Sequence, residues 1–376
     1  RNIFSRIMTN WPTKKLGELV DFLDNQRKPI SDGERQKRIG PYPYYGANGR
    51  VGWIDDYLFD EDLVLLAEDG GYFGSKDRPI AYRISGKTWV NNHAHVLRVK
   101  HDIAETGFVH YRLMFYDIRP YITGSTRAKL NKSAAEKIKI PLPPLNIQKQ
   151  IVGRLDKIAE AQKLNDNLIQ KADELFQSLL HKELNPAGKK WEVKKLSEVG
   201  EIVTGTTPST KNRDYWNGEF LWATPTDIKE NTFILIDTPK KLSREGYEKT
   251  RPVPKNAILV TCIASIGKMV LAGKEMATNQ QINSIVCNKD SDPLFIFFSL
   301  QKDKKKLINL GKTTAVPIIN KSEFGRIKIS LPPLETQKQI VVKLSAAQDY
   351  KIQLLAQKSK LKELFDSALA KSFSDQ

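Results

Sequence analysis

The sequence predicts an α+β protein written twice. It comprises two mixed α/β globules, each followed by one long helix, with the two helices pairing antiparallel as a coiled coil about an approximate two-fold axis. Three observations carry this. Leu142–Leu155 (LPPLNIQKQIVGRL) returns as Leu331–Leu344 (LPPLETQKQIVVKL), with ten of fourteen positions identical at an offset of 189 residues. Flanking segments repeat at the same offset: Asn131-Lys132-Ser133 with Ile138–Ile140 against Asn320-Lys321-Ser322 with Ile327–Ile329, and Lys171–Lys182 against Lys360–Lys371. A third echo opens each half, Trp11, Lys14, Lys15, Leu16 and Glu18 against Trp191, Lys194, Lys195, Leu196 and Glu198. Self-similarity at this scale means a duplicated module.

In chain order the expected parts are a first globule (1–144), a first long helix (145–185), a second globule (186–330) and a second long helix (331–376). Within the globules, short apolar runs at Leu63–Ala67, Ala257–Ile263 and Ile282–Val286 alternate with turn-forming clusters at Gly46–Gly49, Gly70-Gly71 and Thr206–Ser209, the texture of strands joined by loops. Each Leu-Pro-Pro-Leu step ends a strand, because proline lacks a donor and restrains its neighbour. The helices follow. Ile151, Leu155, Ile158, Ile169, Ala172, Phe176 and Leu179 form one stripe, interrupted by Gln162 and Asn165. Ile340, Leu344, Ala347, Leu354, Leu361, Phe365 and Ala368 form the other, with breaks at Lys351 and Lys358 and with Val341, Ile352 and Leu355 on an adjacent face. An isolated rod would expose such a stripe, so the two rods are expected to pack on each other and hold the globules at opposite ends. Gln162 and Asn165 then either set the register or face another protein.

The 376 residues carry 60 Lys and Arg against 43 Asp and Glu, a formal charge of +17, and 40% hydrophobic residues. That is enough apolar material for real cores, and a charge that points to a polyanion, most simply double-stranded DNA. Cys262 and Cys287 make no disulfide framework, which suits a reducing cytoplasm. No apolar run approaches membrane-spanning length, and the opening RNIFSRIM lacks the apolar stretch of a secretion signal.

The doubled Leu-Pro-Pro-Leu with Gln-Lys-Gln-Ile-Val, each opening a long helix behind a dissimilar globule, resembles the specificity subunit of type I restriction–modification systems. In the first globule Pro43–Gly49 with Val51-Gly52 and Glu68–Gly71 resembles one class of target recognition domain. In the second, Gly205–Ser209, Tyr215–Gly218, Trp222 and Thr226–Ile228 resembles another. Gly124–Arg127 before Leu130-Asn131, and Gly311–Thr314 before Ile319-Asn320, fit the same family. The resemblance implies that each globule reads one half of a bipartite, asymmetric target. The helices would set the spacing and dock two methyltransferase subunits, with restriction subunits joining the full complex. It implies no catalysis by this chain and no cofactor of its own, with S-adenosylmethionine, ATP and Mg held by the partners.

The residues themselves agree. Gly311-Lys312-Thr313 looks like the tail of a phosphate loop, but Lys306 stands where its leading glycine is required. His93 and His95 lack an evident third ligand, so no metal site is expected and a polar loop or strand meeting phosphate or base is. Asp55-Asp56 and Glu61-Asp62 read as solvated carboxylates. Lys and Arg should meet phosphates, and Arg, Asn, Gln, Ser and Thr should read base edges. The candidates for DNA contact in the first globule are Asn48, Arg50, Tyr72, Lys76, Arg78, Asn92, His93 and Arg127. In the second they are Thr210, Lys211, Arg213, Thr226, Lys229, Asn279, Gln280, Gln281 and Lys312. For each the plain alternative is a solvated loop residue. Trp53, Trp89 and Trp222 sit in apolar stretches and are expected in cores. Three competing functions remain: a stand-alone repressor-like DNA binder, a cryptic methyltransferase or nuclease, and a coiled-coil scaffold whose charge is incidental.

Overall fold

The computed structural model describes residues 11–75, 77–123, 128–229, 232–311 and 317–373. The chain divides into two compact units: residues 1–165 with 357–376, and residues 166–356.

Unit 1 contains strands β1 (Thr13–Lys15), β2 (Val20–Phe22), β3 (Tyr42–Gly46), β4 (Gly49–Ile54), β5 (Phe59–Asp60), β6 (Leu63–Ala67), β7 (Ala81–Ile84), β8 (Lys87–Val90), β9 (Ala94–Val99) and β10 (Lys139–Pro141). One sheet has the order β2-β9-β6-β7, all antiparallel. The other is β4-β3-β8-β5, in which β3 and β8 run parallel. Every residue of β6 is fully buried. The twofold side-chain period explains this: Val64 and Leu66 face a core shared with Phe108, Val109 and Leu113 of helix α1 (Thr106–Met114), while Leu63 and Leu65 face one shared with Phe59, Val90 and Val96.

Unit 2 begins within the long helix α2 (Leu145–Glu183) and contains the second set of strands: β11 (Glu192–Lys195), β12 (Gly200–Thr204), β13 (Trp216–Ala223), β14 (Ile234–Leu235), β15 (Lys241–Leu242), β16 (Ile258–Thr261), β17 (Met269–Ala272), β18 (Ala277–Thr278), β19 (Ile282–Cys287) and β20 (Lys328–Leu331). Its sheets are β12-β19-β16-β17-β14 and β15-β13-β18, with β13 and β18 parallel. The order β2-β9-β6-β7 therefore returns as β12-β19-β16-β17, and the parallel pair β3/β8 returns as β13/β18. Two globules with little sequence in common share one topology. Helix α3 (Pro293–Lys302) brings Phe295 and Phe298 against Ile258 and Val260, while Leu259 faces Val270 and Ile282.

The repeated segments build the same frame in both units. Each opening echo forms a strand against the Ile-Lys-Ile segment, Lys14 opposite Ile140 and Lys194 opposite Ile329. Asn131 Oδ1 caps a short helix by accepting from Ala134 N at 2.9 Å, and Asn320 Oδ1 accepts from Glu323 N at 2.9 Å. The fully buried Gln148 donates to Pro143 O (2.8 Å) and Ile103 O (3.3 Å), and accepts from Glu105 N at 2.9 Å. Gln337 repeats the set with Pro332 O (2.8 Å), Asp290 O (3.1 Å) and Asp292 N (2.8 Å). The repeated glutamine thus clamps the start of each long helix to the loop before a globule helix.

The long helices α2 and α4 (Leu334–Phe373) have 39 and 40 residues, about 60 Å each at 1.5 Å per residue. Within unit 2, Glu183 pairs with Lys343 and Asp173 with Lys351, so the segments run antiparallel. Phe176 and Leu180 share a core with Ile340 and Leu344 there. Within unit 1, Leu155 and Ile158 share a core with Phe365 and Ala368, and Gln162 Nε2 donates to Leu361 O at 3.2 Å. Gln162 and the buried Asn165 therefore sit on the paired side of their helix, the register-setting alternative. Among the described residues no helix is long and apolar enough to cross a membrane.

Candidate nucleic-acid interface

In unit 1 four connections converge at the end of the parallel pair β3/β8. The β3–β4 hairpin turn uses Gly49 at φ 110°, a conformation that favours glycine. Its exposed Asn48 donates through Nδ2 to Gly70 O at 2.9 Å, tying the hairpin to the β6–β7 connection. Asp69, beside Gly70, meets His93 Nδ1 at 2.6 Å in the β8–β9 turn. Asp69 also bridges Lys129 of the connection that leads to Leu130. Asn48, Asn92 and His93 are thus brought together. Tyr72 is half exposed with the Arg78 guanidinium 4.6 Å above its ring, a cationic and flat pair in the same connection. Arg50 lies on β4 with its guanidinium 4.6 Å over Trp53. Lys76, Arg127 and Lys312 fall outside the described residues.

Unit 2 has the corresponding place at the end of β13/β18. Thr224 N and Oγ1 both donate to Asp227 Oδ2 at 2.8 Å, and Thr224 Oγ1 meets Thr226 Oγ1 at 2.7 Å. The exposed Gln280 is hydrogen-bonded by the Thr207 hydroxyl. Thr226, Gln280 and Gln281 therefore belong to adjoining connections. Thr210, Lys211 and Arg213 are exposed in the β12–β13 connection, and Lys229 is exposed beyond Ile228. Asn279 departs from the expectation of a base contact. It is buried, its Oδ1 accepts from Gln281 N (3.1 Å) and its Nδ2 donates to Gln281 Oε1 (3.0 Å), so it shapes the turn instead.

Two further expectations are corrected. Trp89 and Trp222 are buried, but Trp53 is 46% exposed, because it alternates with the buried Ile54 on β4. His95 cannot meet DNA: it is 1% exposed, with Nδ1 on Asp24 Oδ2 (2.7 Å) and Nε2 on Leu130 O (2.8 Å). It also has neighbours that its sequence position did not reveal, since Asp24, Glu68 and His95 bring three metal-competent atoms together. Fixed cations already serve this cluster. Arg27 and Lys129 reach Glu68 at 2.7 and 3.0 Å, which makes it an ion-pair network rather than a cation cage. Burial pushes Asp24 and Glu68 up, but hydrogen bonds from His95 and Val96 to Asp24, and from Arg27 and Lys129 to Glu68, hold both below the ordinary carboxylate range. Arg27 also donates to Ala94 O at 2.6 Å, so the network supports the β8–β9 turn from beneath.

The two thiols are masked by burial, and two of the four carboxylates noted in the sequence, Asp55 and Glu61, are held in ion pairs. Burial pushes the Cys262 and Cys287 thiols up to about 11 and about 12, away from thiolate chemistry. Asp55 pairs with Arg38, and Glu61 takes a two-pronged bond from Arg98 at 2.6 Å.

The family description "Type I restriction modification DNA specificity domain" matches residues 8–174 and again 188–363. Among curated proteins, the chain is 28% identical over 339 residues to S.HindORF215P of Haemophilus influenzae, covering 87% of this chain and 85% of that one. It is 24% identical over 410 residues to the type I restriction enzyme MjaVIII specificity subunit of Methanocaldococcus jannaschii, covering 97% and 92%. The crystal structure of the type I restriction-modification S subunit from M. genitalium superposes with a TM-score of 0.72 at 16% identity, covering 99% of this chain and 98% of that one. With two copies of the family domain spanning most of its length, the chain belongs to the type I restriction–modification DNA specificity family.

Proposed function

We propose that this chain is the non-catalytic DNA reader of a type I restriction–modification complex, each unit reading one half of a bipartite, asymmetric target. One observation carries the reading: the same loop-bearing end is built twice on one topology, with different polar side chains on it. Asn48, Arg50, Asn92, His93 and the Arg78–Tyr72 pair face solvent in unit 1, and Thr226, Gln280 and Gln281 stand at the corresponding end of unit 2. Two unlike readers on one chain suit a target whose halves differ. Lysine and arginine supply sequence-independent attraction to phosphates, and the polar turns supply base readout. Helix α2 offers exposed leucines outside its pairing stripe, Leu164 in unit 1 and Leu168 and Leu175 in unit 2, which suit docking of methyltransferase subunits. S-adenosylmethionine, ATP and Mg belong to those partners and to the restriction subunits.

The test is reconstitution with adenine methyltransferase subunits, followed by mapping of the methylated sequence. A split motif with unlike halves, and no methyl transfer or cleavage by the purified chain alone, is the expected result. Methyl transfer by the chain alone, or a single undivided motif, refutes the reading.

A further inference from the structure

The two units share more than strand order, because individual hydrogen bonds beneath the two turns correspond. Asn91 N donates to Tyr45 O at 3.0 Å and Asn279 N to Ala223 O at 3.0 Å. The Asn91 side chain then accepts from His93 N (2.9 Å), as that of Asn279 does from Gln281 N (3.1 Å). Behind the turns, Glu68 N donates to His93 O (2.9 Å) and Cys262 N to Gln281 O (2.8 Å). Leu130 N donates to Glu68 O and Ile319 N to Cys262 O, both at 2.8 Å. The strand registers place Asn91-Asn92-His93 and Asn279-Gln280-Gln281 in one structural position.

Two residues past each turn the correspondence continues with changed chemistry. His95 links Asp24 Oδ2 (2.7 Å) to Leu130 O (2.8 Å). Asn283 takes the Thr204 hydroxyl on Oδ1 (2.7 Å) and reaches Ile319 O through Nδ2 (3.4 Å). Thr204 ends β12 and Asp24 lies two residues past β2, the same distance from Gly200 and Val20, which pair with Cys287 and Val99 at the start of each end strand. Each bridge therefore pins three separate segments (the end strand, the strand that leaves the turn, and the segment before the long helix) at a point 1–3% exposed. One is built from ionisable groups and the other from neutral ones.

We infer that Asp24–His95 and Thr204–Asn283 are equivalent, interchangeable positioning pairs. Each holds the turn above it, so that Asn92 and His93, or Gln280 and Gln281, determine the specificity of one half-site. The inference rests on the proposed reader function and extends it to named residues. A reading side chain must be held to about half an ångström, and a misplacement near 1 Å costs on the order of a hundredfold in a positioned reaction. The histidine or asparagine of each bridge lies two residues past the turn and is 1–3% exposed, so it can control placement at that scale without itself meeting a base.

The experiment uses the complex with methyltransferase subunits and compares D24T, H95N and the double variant D24T/H95N, which installs the unit 2 pair in unit 1. Each single change leaves a mismatched buried group. It should lower methylation and relax the first half-site by about tenfold or more, with the second half-site unchanged. The double variant should recover rate and selectivity severalfold over the singles, short of the parent because Val96 N loses Asp24 Oδ1, its acceptor at 3.0 Å. A double variant no better than the singles overturns interchangeability, as do singles that leave selectivity intact. T204V in unit 2 provides a check by a milder change: it removes one hydroxyl and should relax only the second half-site, and unchanged selectivity there also overturns the inference. Failure of the underlying reading looks different, since the parent complex would then give no split motif at all.

Discussion

The repeated glutamine offers a quantitative test of how each long helix is fastened to its globule. Replacing Gln148 with leucine keeps volume at a site that is 0% exposed, but deletes three hydrogen bonds at once. The Glu105 amide loses its side-chain acceptor just before α1, and the carbonyls of Pro143 and Ile103 lose a donor. A buried group left unpaired costs about 1–3 kcal/mol, with the amide bearing most because a carbonyl is easier to satisfy in other ways, so the sum should be about 2–4 kcal/mol. Gln337→Leu removes the same three kinds of bond in unit 2 and should cost the same within about 1 kcal/mol. Native-state hydrogen exchange read by peptide mass spectrometry separates the units. Protection should fall around Glu105 and the first turns of α2 for the first variant, and around Asp292 and the first turns of α4 for the second. A loss below about 0.5 kcal/mol for both would refute the clamp, because surface-like substitutions lie in that range.

Three further expectations follow from buried and exposed groups. His110 is 7% exposed, and burial, helped by the Arg83 charge, lowers its pKa from 6.5 to about 4. The unfolded chain therefore takes the proton first, so this contribution is complete above pH 6.5 and is lost as pH falls toward 4, by about 3 kcal/mol. His110→Leu should flatten that part of the stability–pH curve of unit 1, and an unaltered slope would reject the assignment. Arg50→Ala should weaken and relax the first half-site alone, by about 1–3 kcal/mol in binding measured on DNA altered in either half. Leu168→Glu with Leu175→Glu should leave the helical circular dichroism unchanged while abolishing co-purification with methyltransferase subunits. Retained co-purification would move the docking surface elsewhere.

The duplication was readable from the chain because its repeated residues perform local tasks. Asn131 and Asn320 cap the helix they begin, the prolines end a strand, and the 3/4-spaced stripes define one buried helix face. Local rules of this kind depend on neighbours in sequence, so composition, repeat, helix pairing and family were all legible. The bond from Gln148 to Ile103 was not, since it joins residues 45 apart.

The loop-bearing ends proposed to read DNA were only partly legible. Asn48, Asn92, His93, Gln280 and Gln281 were identified as polar residues in turns, but turn texture cannot distinguish a presenting side chain from one that shapes the backbone, as Asn279 does. Trp53 stands in an apolar stretch, and only strand pleat decides that it faces outward while Ile54 faces in. The supporting bridges Asp24–His95–Leu130 and Thr204–Asn283–Ile319 had no sequence signal. Their members lie 35 to 79 residues apart and differ in chemistry between the units. What the sequence determined by itself was therefore the doubled module and its family. Tertiary structure alone decided which side chains stand exposed over a shared buried bridge, because strand register sets that outcome by bringing together residues that sequence spacing leaves far apart.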